Sequence, residues 1–412
     1  MKSTLKRLLT GVVIAFAAAS PALADSLYII TNPDGPNAIE AYRRNPRDGK
    51  LARIGRIPTQ GLGDSAVGGF EQHSIVSRGN FVYAVNPGSD EISAFSVKPD
   101  GSLLFLGKVH SGGRRPVALA VTKDFLYVAN EGNPPGDPTL IAGSYSGFKV
   151  KSNGTLSPIP GSTITLNPGD SPADVVFSKD GKVLVGTRLP GNRIDSFHVA
   201  STGLLVNHRV TFGGGGAFGA LFNPVKPWQL AVTLAVPEFF PGQVAPGIAY
   251  YDVRKDGTIG ILDTYTDPDL SDAGLRDPCW LAYSGDGRYV WSSSFIPRML
   301  SLFSIDTNGY LKRVSDFNPG DSEPVEDPLV PGSNAVIGST DILVDSTGSY
   351  LYQLRAFAVP SAAVPLTPRV EVFKITKKWT TNAGLSLVQR QSLPSDLSLT
   401  GVMGLTLVET KP

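Results

Sequence analysis

The chain has a single cysteine, Cys279, in 412 residues, so no internal disulfide can form and the fold must rest on burial and hydrogen bonding. Only 18% of its residues are charged, the net charge is +1, and His110, His198 and His208 have no metal-ligand spacing between them. No block of one sign occurs, which excludes the usual electrostatic grip on nucleic acid or anionic lipid. Beyond residue 24 no run is long and apolar enough to span a bilayer as a helix. Helical periodicity is nearly absent too, which excludes bundles and α/β layers.

Residues 1–24 carry a different signal. Lys2, Lys6 and Arg7 precede an apolar run from Leu8 to Ala19, and Ala22-Leu23-Ala24 reads as a small-x-small cleavage site. A secretory signal peptide is expected there, with residues 25–412 secreted or periplasmic as one domain that makes no further membrane contact. Cleavage would remove three positive charges and take the net charge from +1 to −2.

In the rest, 45 glycines and 33 prolines punctuate short β-branched and aromatic runs, the pattern of an all-β protein. One segment recurs, a small polar turn with glycine followed by an aliphatic residue. Its seven copies are Asp48-Gly49-Lys50-Leu51, Asp100-Gly101-Ser102-Leu103, Asn153-Gly154-Thr155-Leu156, Thr202-Gly203-Leu204-Leu205, Asp256-Gly257-Thr258-Ile259, Asn308-Gly309-Tyr310-Leu311 and Asn382-Ala383-Gly384-Leu385. The aliphatic positions lie 52, 53, 49, 54, 52 and 74 residues apart, a period that suits a four-stranded propeller blade. Upstream of each turn an alternating strand ends near an aromatic residue: Tyr42, Phe95, Phe148, Phe197, Tyr251, Phe303 and Phe373. Before it comes another strand, read at 27–32, 81–86, 125–130, 183–188, 230–235, 289–294 and 350–355.

With the strands of a blade named A to D from the axis outward, residue 25 opens on B, C and D of one blade, and the last apolar strand, 401–408, has no B after it. That strand supplies the missing A. The expectation is a seven-bladed β-propeller of four antiparallel strands per blade, closed by the C-terminal strand pairing with the N-terminal blade.

The sequence resembles the lactonase family of seven-bladed propellers, which includes propeller-type 6-phosphogluconolactonases and carboxymuconate lactonizing enzymes. The resemblance covers the chain after residue 24. It rests on phrases such as Phe125-Leu126-Tyr127-Val128-Ala129-Asn130-Glu131 and Gly191-Asn192-Arg193-Ile194-Asp195-Ser196-Phe197.

The D-to-A and B-to-C loops of such a propeller open on one face. The long insertions at 132–143, 237–246, 319–338 and 357–368 all fall there, as a recognition rim would. His73, Arg115, Glu131, Arg188 and Arg355 sit at strand ends on the same face and are expected to point at a central pocket; Glu238, Asp277 and Arg298 are further candidates for substrate binding. The resemblance implies an active site of one His, two Arg and one Glu, and His73, Arg115, Glu131 and Arg188 fall at comparable blade positions. Arg115 and Glu131 bracket one A–B hairpin, as in the family. The chain departs from the pattern at Ser171-Pro172-Ala173-Asp174, with no His in the fourth blade's entry loop, and at residues 213–216, a run of four glycines.

Guanidinium groups offer paired donors to a carboxylate or a developing oxyanion, and Glu or His can move the proton. The expected activity is therefore hydrolysis of a small lactone without a metal or cofactor, by a monomer. The alternatives are a cycloisomerase acting on a muconate-like diacid and a propeller that only binds. For each Arg the competing role is a structural salt bridge. Gly143-Ser144-Tyr145-Ser146-Gly147 lacks the strand-turn-helix context of a nucleophile elbow and is read as coincidence. Cys279 reads as core, His110, His198 and His208 as solvent-facing, and Asp267, Asp269, Asp272 and Asp277 as a solvated acidic loop rather than a Ca²⁺ site.

Overall fold

The structure is a computed structural model that describes residues 24–67, 72–133, 141–189, 191–235, 245–267, 277–295, 299–317, 337–358, 367–376, 383–397 and 401–410. The expected signal peptide, apart from Ala24, lies outside the described residues, as do Glu238, Arg298 and most of the long insertions.

The strands form seven sheets, each an antiparallel meander, and among the described residues the helices are limited to two single 3₁₀ turns. Inner strands such as Pro172–Phe177 and second strands such as Val183–Arg188 are buried almost throughout, because blades cover both of their faces. Outer strands such as Leu205–Phe212 are exposed along most of their length. The ring closes as the repeat requires. Met403–Val408 pairs antiparallel with Ser26–Ile30, which pairs in turn with Gly35–Arg44 and then Leu51–Gly63.

A buried ion-pair hub locks that closure. Arg44 Nη1 lies 2.8 Å from Asp25 at the N-terminal end and 3.2 Å from Glu409 beyond the last strand. Its Nη2 meets Asp345 of the seventh blade, and its Nε donates to the Tyr352 hydroxyl at 2.7 Å.

The recurrent turns have a backbone reason. Gly49, Gly101, Gly154, Gly203, Gly257 and Gly309 all have positive φ between 72° and 92°, the region glycine enters without a Cβ penalty. Their carbonyls stitch neighbouring blades together. Second-strand tyrosines Tyr28, Tyr83, Tyr127 and Tyr352 donate their hydroxyls to the carbonyls of Gly101, Gly154, Gly203 and Gly49, at 2.8, 3.0, 2.7 and 3.0 Å. The repeated aromatic of the third strand marks a bulge: register shifts precede Tyr42, Phe95, Tyr251, Phe303 and Phe373, and one brackets Phe197. In the third blade the outer strand is instead split into Leu156–Pro158 and Ile164–Thr165.

Candidate functional site

Arg115 is the last residue before the inner strand Pro116–Val121, and Glu131 the first after the second strand Phe125–Asn130. The hairpin between them brings both ends to one face, where the Glu131 N–H donates to the Arg115 carbonyl at 2.9 Å. Arg115 has a φ of +56°, unusual for a bulky side chain, and its own N–H is held by Asp90 Oδ1 at 2.8 Å. Such left-handed conformations persist where the surroundings impose them, and they cluster at functional sites.

The guanidinium is bracketed by two carboxylates. Arg115 Nε lies 3.3 Å from Glu131 Oε2 and 3.7 Å from Asp64 Oδ2, yet among the described residues neither Nε nor Glu131 Oε2 finds a hydrogen-bond partner, although both atoms are buried. Burial raises the Glu131 carboxyl above the usual carboxylate range; Arg115 opposes that shift and the charge of Asp64 adds to it. Among the described residues the terminal nitrogens of Arg115 donate to no protein acceptor. This cluster therefore combines open donors with a carboxyl whose burial makes it hold its proton more tightly than an ordinary glutamic acid.

His73 lies elsewhere. It also has positive φ, +66°, and precedes the second blade's inner strand, but its Nδ1 is 2.8 Å from Asp174 Oδ1 in the fourth blade's inner strand. Beside it, Gln72 crosses the channel, its Nε2 donating to the Leu281 carbonyl at 2.9 Å and its Oε1 accepting the Leu281 N–H at 3.3 Å. Asp174 also accepts the backbone N–H of Val175 and Ala220. Asp341, in the seventh blade, accepts those of Ile342 and Leu405. Burial alone would lower the pKa of His73; the charge and hydrogen bond of Asp174, with Asp341 behind it, raise it on balance. Burial raises Asp174 against the pull of His73, and raises Asp341 to about 7. Two cavities of about 440 and 430 Å³ share His73 in their walls. They are lined toward the A-to-B turns by Pro224, Ser284 and Ser346 in the first and by Lys179 and Pro224 in the second, the side away from the expected rim.

Arg188 and Arg355 do not present their guanidinium groups to the axis as expected. Arg188 grips Asp195 of its neighbouring third strand with Nε at 2.7 Å and Nη2 at 2.6 Å, and gives Nη1 to Asp170 at 2.7 Å. Arg355 is fully buried against Glu371, which also takes Arg369 and Arg390. These carboxylates form a repeat of their own. Glu40, Asp195 and Glu371 stand two residues before Tyr42, Phe197 and Phe373, each is buried, and each collects basic partners from adjacent strands. A buried carboxylate needs such partners to remain charged, and that requirement turns both arginines away from the channel. His208 is likewise engaged, its Nε2 2.7 Å from Asp195 and its ring stacked on Phe197, so it is not simply solvent-facing. Asp277 takes the Phe295 N–H on its carbonyl, and Asp267 pairs with Arg313 at 2.6 Å.

Asp64, Asp174 and Asp341 were not singled out in the sequence. Asp174 and Asp341 hold equivalent inner-strand positions, Ala-Asp-Val and Thr-Asp-Ile, in otherwise apolar segments, and that mismatch is the signal available for them. Asp64 has no comparable mark.

The family model for a lactonase, a seven-bladed β-propeller, matches residues 25–134, a stretch that includes Asp64, His73, Arg115 and Glu131. A 6-phosphogluconolactonase of Cronobacter sakazakii is 23% identical over 285 residues, 59% of this chain and 82% of that protein. The periplasmic gluconolactonase PpgL of Pseudomonas aeruginosa superposes with a TM-score of 0.66 at 16% identity, covering 94% of this chain and 99% of that one. Hydrazine synthase of Kuenenia stuttgartiensis shares the fold at a TM-score of 0.54 and 14% identity, over 85% of this chain and 100% of that one, so the ring by itself assigns no chemistry. The chain is thus similar to lactonases of the seven-bladed β-propeller type, by the family model over residues 25–134 and by relatives in sequence, and its ring of seven blades is the fold that this likeness calls for.

Proposed function

We propose that the protein hydrolyses a small lactone at the Arg115–Glu131 pair. The observation that carries this reading is that Arg115 Nε and Glu131 Oε2 are buried 3.3 Å apart without a hydrogen-bond partner among the described residues, while the guanidinium groups of Arg44, Arg188 and Arg355 are occupied by carboxylates. Arg115 receives the carbonyl oxygen of the lactone as it becomes an oxyanion, with its terminal nitrogens as donors. In its ionised form Glu131 accepts a proton from the attacking water, and its raised proton affinity makes it a stronger base than an ordinary carboxylate. The carbonyl carbon gains the hydroxide, the ring C–O bond breaks, and the proton passes to the leaving alkoxide to give the open hydroxy acid. The relatives named as gluconolactonases and phosphogluconolactonases favour an aldonolactone as the substrate class.

The test is acid release from a panel of aldonolactones, with and without a 6-phosphate, read by a pH indicator in wild type and in Glu131→Gln. Loss of hydrolysis in a folded Glu131→Gln supports the assignment; turnover equal to wild type overturns it. Export to the periplasm or medium is part of the same reading, supported by the basic and apolar character of residues 1–24. Fractionation of cells producing the full chain, with N-terminal sequencing of the mature form, tests it; a full-length product confined to the cytoplasm refutes it.

A further inference from the structure

We propose that Asp64 is a positioning residue of this site: it shares Arg115 with Glu131, so that two carboxylates hold one guanidinium and one proton between them. The inference rests on the reading of Arg115 and Glu131 as the reacting pair. Asp64 follows the outer strand of the first blade and is pinned through its backbone, its N–H donating to Asn32 Oδ1 at 3.0 Å and its carbonyl accepting Asn32 Nδ2 at 2.8 Å. Asn32 is wholly buried and has a φ of +40°, so the loop is set by the core beneath it. The next glycine back, Gly63, leaves no room for a Cβ, which would meet the Pro33 carbonyl at 2.4 Å. One carboxylate oxygen, Oδ1, accepts the Ala66 N–H at 3.0 Å, and the other, Oδ2, faces Arg115 at 3.7 Å.

This arrangement differs from the other buried arginines of the ring. Arg188 meets Asp195 with two short hydrogen bonds and Arg44 is held on every side, whereas Arg115 stands between two acids without bonding closely to either. Two negative charges around one positive charge leave an excess of one, and partial burial makes that excess costly. Among the described residues the neighbouring charges do not relieve it. Asp170 is taken by Arg188, Asp90 Oδ1 is taken by the Arg115 N–H, Ser171 meets only the Glu131 backbone carbonyl, and Arg114 meets Gly132 only through its own carbonyl. Holding a proton on one of the two acids removes the excess. The more enclosed of them is Glu131, with 20% of its side chain exposed against 26% for Asp64.

The experiment follows the Glu131 carboxyl directly, by isotope-edited infrared titration of the full chain, with Glu131→Gln identifying its band. In Asp64→Asn, which keeps an acceptor for the Ala66 N–H, the midpoint is expected to fall by about one pH unit, because a like charge has been removed. Asp64→Glu should hold it near the wild-type value, and the lactonase pH profile, where activity is present, should move with the midpoint. Asp64→Ser provides the same comparison if Asn does not fold. An unchanged midpoint in a folded Asp64→Asn or Asp64→Ser overturns the proposal. A shifted midpoint with hydrolysis unaffected by Glu131→Gln supports the Asp64 coupling and refutes the lactone reading, so the two fail separately.

Discussion

His73 Nδ1 lies 2.8 Å from Asp174 Oδ1, and this one hydrogen bond joins the entry to the second blade's innermost strand to the innermost strand of the fourth blade, which is not its neighbour in the ring. With the Gln72–Leu281 contact it spans the channel, so the entry to the second blade is pinned to the fourth and the sixth. The acids that face the channel make this clamp sensitive to pH.

Asp341, Asp174 and His73 all bind protons more tightly in the folded chain than their ordinary values. Each then favours folding at low pH and loses that contribution as pH rises. For Asp341 the window runs from the normal carboxylate value of 3.8 up to about 7. A shift of that size is worth up to about 4 kcal/mol at about 1.4 kcal/mol per unit. Urea midpoints measured at pH 5, 6, 7 and 8 should fall with pH in wild type and fall less in Asp341→Asn. Equal slopes in both would mean that Asp341 ionises independently of folding.

The Arg44 hub makes a second prediction. Its side chain is 1% exposed and its partners come from both ends of the chain and from the seventh blade. Arg44→Met should cost about 3–5 kcal/mol, because Asp25 and Asp345 would be left buried without a cation. Arg53→Ala, which removes a guanidinium with 44% exposure from Glu40, should cost about 1 kcal/mol or less. Thermal melts of the two variants side by side check the contrast, and comparable losses would contradict the hub as the lock of the ring.

The tyrosine stitches give a smaller, local effect. Tyr127→Phe removes the donor to the Gly203 carbonyl and leaves that carbonyl buried, at a cost of about 1–3 kcal/mol. Tyr310→Phe, at the exposed turn before an outer strand, is the control and should stay near wild type in the same melt.

The ring was legible because its determinants are local. Glycine turns, a third-strand aromatic and an unpaired last strand each leave a mark at a fixed spacing, and four of the seven second strands, at Phe81, Phe125, Val183 and Tyr289, begin and end where the sequence places them. The direction in which a charged side chain turns is not local. Arg188 and Arg355 end second strands much as Glu131 follows one, but Asp195 and Glu371 on the adjacent strands claim them. The acid two residues before the aromatic gives that away in the first, fourth and seventh blades. The third blade has Ser146 at that position, and there Arg115 and Glu131 lie 3.3 Å apart. His73 reads as a member of the same cluster from its blade position, yet Asp174, 101 residues away, draws it into the channel.

The same contrast yields the most discriminating prediction. Arg115 and Arg188 are both arginines on the loop face of neighbouring blades, but one has terminal nitrogens without an acceptor among the described residues and the other spends its guanidinium on Asp195 and Asp170. Arg188→Met should lower stability by about 3–5 kcal/mol and leave kcat/KM of the folded fraction close to wild type. Arg115→Lys keeps the positive charge between Glu131 and Asp64, so melting should change by only a few degrees. It loses the planar pair of donors to the developing oxyanion, a change expected to lower kcat/KM by about 100-fold. Since the interaction strengthens in the transition state, the loss should appear mainly in kcat. Measuring both parameters with the melting curve for each variant separates the roles. If Arg188→Met abolishes turnover at full folding while Arg115→Lys does not, the chemistry belongs to the fourth blade and the open donors of Arg115 serve something else.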